Sequence, residues 1–538
     1  MPHIVPYLLV SCLSWVVVTE AKTAEVMKRP NVLIVMVDDM GFSDLGCYGG
    51  EIETPVMDSL AANGLRFTQF YNTAKCHSSR VSLLSGMYCI QAGDVALSHC
   101  VTSAEILSQA GYFTMMSGKW HLNKAPTDFG FQRYFGHLSG ACNYLGDGTF
   151  RLNGKKWQVP DKNFYTTTAK VDFALEFLKE ARETEKPWYL YVAFNAPHAP
   201  LQALKEDYQK YEGRYKDGWD AIYKSRLKKQ EMLGLFGKGI KPPERPDHVQ
   251  AWDKLDAGWK TFEEMRMTAI AAMIDRVDQG MGRLVADLKR AGELENTLIL
   301  FISDNGACPY DRRRSSRNLN QKPWEPAVEW SDSTGWAWAR NAPFRFYKQN
   351  QFEGGICTPA IVHWPAGLKT KPGSVVDSPA HLIDVVPTLV EICEAPVPRK
   401  WPGRELRKIS GVSLAPIFET GKLKKRPPIH LLFNEDRGLR DGDWKLVSFK
   451  SQPWELYNIA EDRTELNDLA TQHPDRVRSM VGTWYKMAKD VLHAPKKATK
   501  PVGEMVNQAN REWSDFNKPY NKASAHELNF LRKRKNKP

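Results

Sequence analysis

Four short apolar runs constrain this chain most: NVLIVMV from Asn31, WYLYVAF from Trp188, NTLILFIS from Asn296 and AIVHW from Ala360. They are rich in β-branched and aromatic residues and do not alternate with polar ones, the pattern of strands buried on both faces. Between them lie helical periods such as TTTAKVDFALEFLKEA and MTAIAAMIDRVDQGMGRLVADLKRAG, the second closed by Gly292. Strands alternating with helices predict an α/β fold, a large and mostly parallel sheet sandwiched by helices, over residues 28–395. After HLIDVVPTLVEIC the pattern shifts to IHLLFNE, LRDGDWKLVSF and WELYNIA, short strands joined by tight turns. That shift predicts a smaller antiparallel α+β subdomain over residues 396–489.

Composition narrows the setting. With 538 residues, 42% hydrophobic and 25% charged, the chain suits a folded, water-soluble protein with one large domain and a smaller one. The apolar run Ile4–Val18, followed by the small residues Thr19 and Ala21, reads as an export signal over residues 1–21, and no later run is long enough for a stable membrane span. A secreted or periplasmic protein is expected; Leu9, Val10, Ser11 and Cys12 resemble a lipidation box, but too few apolar residues precede them. Nine cysteines without CxxC pairs argue against a zinc ribbon and a disulfide-stapled scaffold. The net charge is +12, and residues Val491–Pro538 hold 11 Lys and Arg against 4 Asp and Glu, predicting a basic, flexible tail over residues 490–538. No RNA-binding motif or zinc finger accompanies it, so a nucleic-acid partner is not expected, and acidic polysaccharide fits an exported protein better.

In an open α/β sheet, ligands sit beyond the carboxyl ends of the strands. Asp38 and Asp39 follow the first run, NAPHAP with His198 follows the second, and Asp304 and Asn305 follow the third, while FTMMSG leads into Lys119, Trp120 and His121. Each has an ordinary reading as a turn, a cap or a surface residue. Together they are a set: Asp38, Asp39, Asp304 and Asn305 offer hard oxygen ligands suited to Ca²⁺ or Mg²⁺ rather than zinc. Lys119, His121, His198 and Arg80 can neutralise and protonate around a tetrahedral oxyanion, so the set suits a sulfate or phosphate group.

The strings NVLIVMVDDMGFSDLGCYGG, CHSSRVSLLSG, GYFTMMSGKWHLN, NAPHAP, NTLILFISDNGA and YKQNQFEGGICTPAIVHWPAG stand in the order found in the type I, arylsulfatase-like sulfatases of the alkaline phosphatase superfamily, which this chain resembles from about Arg29 to about Ala470. The resemblance implies a Ca²⁺ ion held by Asp38, Asp39, Asp304 and Asn305, with residue 76 completing its shell, and Cys76 oxidised by a formylglycine-generating enzyme. In the family the formylglycine hydrate attacks sulfur, expels the alcohol, then eliminates sulfate. Arg80 and Lys119 would steady the formylglycine oxygens, His121 would assist elimination, and His198, as general acid, would grip the leaving group with Lys348, which stands five residues before Glu353 in KQNQFEGG. The helix begun by SSRVSLLSG would direct its positive end at residue 76.

Three positions depart from the family pattern: Ser78 stands where proline or alanine is usual, Asn123 where glycine is usual, and Cys357 where arginine is common. Asn123 is expected to take a left-handed backbone, and Cys357 to leave the substrate site one charge short. The expected substrate is a carbohydrate or aryl sulfate ester, and the basic, aromatic stretch from Tyr211 to Pro246 reads equally as a glycan contact or as packed structure. Two alternatives stay open: a phosphatase or phosphonate monoester hydrolase on the same scaffold, and a non-catalytic binder of sulfated glycan if Cys76 is not oxidised.

Overall fold

A computed structural model describes residues 29–160, 163–236, 240–311, 318–423 and 425–491. The export signal expected over residues 1–21 lies outside them, as does the expected basic tail except for residues 490 and 491, which close the last helix. In chain order the strands are β1 (Asn31–Asp38), β2 (Leu65–Phe67), β3 (Phe70–Tyr71), β4 (Phe113–Lys119), β5 (Arg133–His137), β6 (Phe150–Leu152), β7 (Lys155–Lys156), β8 (Trp188–Pro197), β9 (Thr297–Ser303), β10 (Ala360–His363), β11 (Ser374–Val376), β12 (Ala380–His381), β13 (Ile429–Phe433), β14 (Asp436–Asp441), β15 (Trp444–Ser448) and β16 (Glu455–Asn458). Ten of them form one sheet in the order β11-β2-β10-β9-β1-β8-β4-β5-β6-β7. Its centre, from β9 to β5, is parallel throughout. Strand β10 runs antiparallel between β9 and β2, and β6 and β7 make an antiparallel edge.

Alternation along β1 explains the two layers. Leu33, Val35 and Val37 point to one face, where the helices Thr166–Glu183 and Ala257–Arg290 cover them. Val32, Ile34 and Met36 point to the other, beneath the helices Cys76–Ser85, Ser103–Gln109 and Val385–Ile392. Both sets are fully buried, which is why the run shows no polar alternation in sequence. Strands β13 to β16 form a consecutive antiparallel sheet covered by the helix Pro474–Val491. Leu414, Ile417 and Phe418, ahead of these strands, pack into the core of the large sheet.

The described part of the stretch from Tyr211 to Pro246 is partly packed and partly exposed, with Lys216, Lys224, Lys228 and Lys241 at the surface. Trp219 and Tyr223 are buried, and Arg226 pairs with Asp44 and Glu51 at 2.8 Å each. Among the described residues no helix is long and apolar enough to cross a membrane, and the eight cysteines there are free thiols.

Candidate active site

Parallel pairing brings the acidic residues together. Strands β1 and β9 run in register with Val37 opposite Ser303, so Asp38 and Asp39 emerge beside Asp304 and Asn305. All four are fully buried. Asp39 turns out of the strand with φ 67 and donates its N–H to Asp304 Oδ1 at 3.4 Å, while Asn305 Nδ2 donates to Asp39 Oδ1 at 2.6 Å. Asp38 Oδ1, Asp39 Oδ2 and Asn305 Oδ1 have no hydrogen-bond partner although buried. Buried orphan acceptors are costly, and three hard oxygens of this kind fit a calcium-class cation.

Three cations surround these oxygens. Arg80 Nη2 pairs with Asp304 Oδ2 at 2.9 Å and Nη1 donates to the Lys119 carbonyl at 2.8 Å. Lys119, ending β4, donates to Asp38, and Lys348 donates to Asp39. Burial opposes the charge on Asp39, but Lys348 and His198 outweigh it and hold the carboxyl at about 2. Burial likewise opposes the charge on Lys348, and Asp39 outweighs it, holding the ammonium well above its usual value.

Cys76 is the first residue of the helix Cys76–Ser85, with Lys75 as its cap. The helix therefore begins two residues earlier than SSRVSLLSG implies, and the cysteine itself occupies the positive end. Burial would raise its thiol pKa, but Lys119 and Lys348 prevail and lower it. Ser78 is buried and its hydroxyl meets Cys89.

The two histidines stand at the ends of different strands. His121 follows β4 with φ 60, and its ring packs so close to Gly140 that a Cβ there would lie 2.5 Å from Nε2. Burial, with Lys119 and Arg80 near, pushes its pKa to about 3. His198 Nδ1 donates to the Ala199 carbonyl at 2.6 Å, which leaves Nε2 facing Asp39 Oδ2 at 3.7 Å. Burial lowers its pKa to about 4 despite Asp38 and Asp39. The ring is therefore neutral near pH 7, with Nε2 turned toward the acidic cluster.

One sequence expectation fails here. Asn123 is not among the residues with positive φ; His121 and Lys124 take the left-handed turns on either side of it. Cys357 is buried, its thiol donating to the Thr68 carbonyl at 3.2 Å with Arg463 3.7 Å from its sulfur, so Arg463 is the cation beside this position.

Other contributors carry no local signal. Arg340 donates to the Asp39 carbonyl at 2.8 Å and pairs with Asp44 and Asp332, bracing the turn after β1. The DNG and FEGG strings interlock: Gly306 N–H donates to Gly355 O at 3.1 Å, and a Cβ on Gly306 would strike Gly354 O at 1.8 Å. Beside Lys348 opens a cavity of about 430 Å³ lined by Tyr310, Tyr347, Gln349, Asn350, Phe433 and Phe449 among others.

The chain is similar in sequence and in fold to known proteins. A family profile described as Sulfatase matches residues 30–395, and one described as N-sulphoglucosamine sulphohydrolase, C-terminal, matches residues 344–483. An uncharacterized sulfatase of Schizosaccharomyces pombe is 32% identical across 87% of this chain and 95% of its own length. An arylsulfatase of Klebsiella aerogenes is 30% identical across 72% of this chain and 92% of its own. The solved structure of Ps i-CgsB in complex with k-i-k-neocarrahexaose superposes with a TM-score of 0.65 at 24% identity, covering 90% of this chain and 98% of that one, a likeness of fold.

Proposed function

The chain belongs to the sulfatase family and is a sulfuric ester hydrolase, and from that premise we propose that it removes sulfate from a sulfated carbohydrate with a calcium ion and a formylglycine made from Cys76. One observation carries the reading: three buried, unpartnered oxygens, on Asp38, Asp39 and Asn305, ringed by Arg80, Lys119 and Lys348. Asp38, Asp39, Asp304, Asn305 and residue 76 would hold the calcium, which supplies charge neutralisation for sulfate oxygens when bound. The aldehyde hydrate on residue 76 supplies the nucleophilic oxygen.

The chain's own residues do the rest. Arg80 is fixed between Asp304 and the Lys119 carbonyl, so its guanidinium is pre-oriented beside residue 76 and needs no reorganisation as charge develops. Lys119 and Lys348 flank the anion from two sides. His198 keeps Nδ1 on the Ala199 carbonyl, leaving Nε2 as the atom that can hold a proton for the departing alcohol. His121, neutral through burial, is able to take the hydroxyl proton during sulfate release.

The cavity beside Lys348 supports a carbohydrate as the alcohol. Tyr310, Tyr347, Phe433 and Phe449 offer ring faces, and Gln349, Asn350 and Asn434 offer amides, a mixture suited to sugar rings with hydroxyl edges. The apolar run Ile4–Val18 supports export; residues 28–395 are proposed as the catalytic unit and 396–489 as the C-terminal one, whose leading part, with Leu414, Ile417 and Phe418, packs on the large sheet. The maturation enzyme would have to accept Ser78, which is small like the family's usual alanine.

Mass spectrometry of the Cys76 peptide from natively expressed protein tests the nucleophile, with Ser78→Pro as a control for poor maturation in recombinant material. Formylglycine is expected. A free thiol in protein that still cleaves sulfate esters overturns the mechanism. Turnover of matched sulfate and phosphate esters tests the reaction, and faster phosphate hydrolysis would move the assignment to phosphomonoesters.

A further inference from the structure

A second set of donor atoms lies at the rim of the same site, and the reaction above does not use it. His77 comes directly after Cys76 on the first turn of the helix Cys76–Ser85. That helix ends at Gly86 in a left-handed turn, and the returning chain carries Cys89 and then Asp94 back toward His77. Cys89 Sγ donates to Asp94 Oδ1 at 3.2 Å. Ligand atoms of His77, Cys89 and Asp94 all lie within 4.8 Å of one another. Tetrahedral zinc ligands sit roughly 3.5 Å apart, given bonds of about 2.0–2.3 Å, so small rotamer changes bring the three onto one ion.

The donor types are informative. One imidazole nitrogen, one thiol sulfur and one carboxylate oxygen suit zinc rather than the hard cations favoured by Asp38 and Asp39. Access also differs: His77 and Cys89 are half-buried and Asp94 is exposed, so an ion reaches them from solvent. The other cysteine-containing set, Asp39, Cys308 and Asp332, is fully buried with its carboxylates committed to Lys348 and Arg340. A hydrogen bond links Cys89 to Asp94, and His77 brings a third donor type to the same point.

We propose that His77, Cys89 and Asp94 bind one zinc-class ion at the rim of the active site and that this ion inhibits desulfation. Binding replaces the Cys89 thiol proton, which leaves to solvent, and no oxidation is involved. Inhibition follows from place. The His77 ring meets that of His121 at 5.9 Å and that of Phe433, which lines the cavity, at 6.3 Å. Ligation pins His77 there, and an ion with three protein ligands keeps an open position that can hold a sulfate oxygen away from residue 76. The inhibitory half rests on the site proposed above; the binding half does not.

The test uses the full-length, calcium-loaded protein titrated with Co²⁺ and then Zn²⁺. A thiolate-to-cobalt charge-transfer band should appear in the near ultraviolet and vanish as zinc displaces cobalt. Cys89→Ser should abolish it, and His77→Ala and Asp94→Asn should each weaken binding by at least about tenfold, since even outer-shell changes cost that much. Cys308→Ser and Cys76→Ser should keep the band. Stoichiometric zinc should suppress turnover in the wild type and not in Cys89→Ser. No band, or a band that survives Cys89→Ser, overturns the site whatever the activity. Equal zinc inhibition in wild type and Cys89→Ser, or bound zinc without inhibition, overturns the regulatory role.

Discussion

Calcium should raise the thermal stability of this protein, and the size of the effect can be worked from the atoms of the site. Asp38 Oδ1, Asp39 Oδ2 and Asn305 Oδ1 are buried without partners. Each such acceptor costs about 1–3 kcal/mol, so the three together cost about 3–9 kcal/mol, which one hard cation can relieve. The unfolded chain cannot assemble the site, because Asp39 and Asn305 stand 266 residues apart. Binding is therefore linked to folding, and free calcium at about 100 times its Kd adds about 2.7 kcal/mol. For a large domain each kcal/mol moves Tm by about 2 °C, so a rise of about 5 °C is expected. Differential scanning calorimetry of chelator-treated protein, with and without calcium at one scan rate, measures it. Asp39→Asn and Asn305→Ala should lose most of the rise. The reasoning is refuted if Tm does not respond to calcium, or if both variants keep the full shift.

Three further outcomes are expected. His198→Ala should slow hydrolysis of sugar sulfates by about 10²-fold or more and of activated aryl sulfates far less, because only the poor leaving group needs a proton; equal losses would make His198 a positioning residue. Phe433→Ala should raise KM for a sulfated oligosaccharide about five-fold, the scale of one lost ring contact, with kcat for a small aryl sulfate unchanged; an unchanged KM would place the sugar elsewhere. Glu465 provides a pH test: burial raises its carboxyl to about 7 although Lys445 opposes the shift. The folded state then holds an extra proton above the usual glutamate range of about 4.5, so stability should fall as pH rises from about 4.5 through about 7. Urea midpoints across that range should decline in the wild type and stay level in Glu465→Gln; a wild-type midpoint that rises with pH there would contradict the assignment.

The charged cluster is legible in sequence because parallel pairing converts strand order into proximity. Once NVLIVMV and NTLILFIS are read as buried strands, the residues just after them must share one edge of the sheet, and Asp38, Asp39, Asp304 and Asn305 do. Lys119 and His198 end or follow β4 and β8 for the same reason. Backbone conformation at single positions is less legible. Asn123 looks suited to a left-handed turn, but the turn is taken by its neighbour Lys124, since intrinsic preference yields to where the chain must reverse. Arg340 is invisible because its role depends on meeting Asp39, 301 residues away. The cavity is invisible for a related cause: its walls come from separate loops, from the β13–β14 hairpin and from the turn after β15.

The position of Lys348 shows why the C-terminal subdomain matters to chemistry on the large sheet. Lys348 lies in irregular chain between Phe346 and Gln349, both with positive φ, and no helix or strand holds it. Glu353, five residues on, begins a short buried turn of helix. Its carboxylate takes Lys445 at 2.7 Å and Arg463 at 2.5 Å, and its backbone N–H donates to Glu465 at 2.8 Å. All three partners belong to the C-terminal subdomain. The same segment is tied on its other side by Gly306 to Gly355 and by Lys348 N–H to the Ala307 carbonyl at 3.2 Å. The spacing from Lys348 to Glu353 thus has a physical meaning: the lysine pairs with Asp39 in the proposed anion site, and the glutamate fastens its loop to the smaller sheet. Breaking that fastening, with Lys445→Met for instance, leaves Glu353 and Glu465 facing each other without the shared cation. Turnover should then fall through misplacement of Lys348, although Lys445 lines no part of the cavity and touches none of the residues assigned to the reaction.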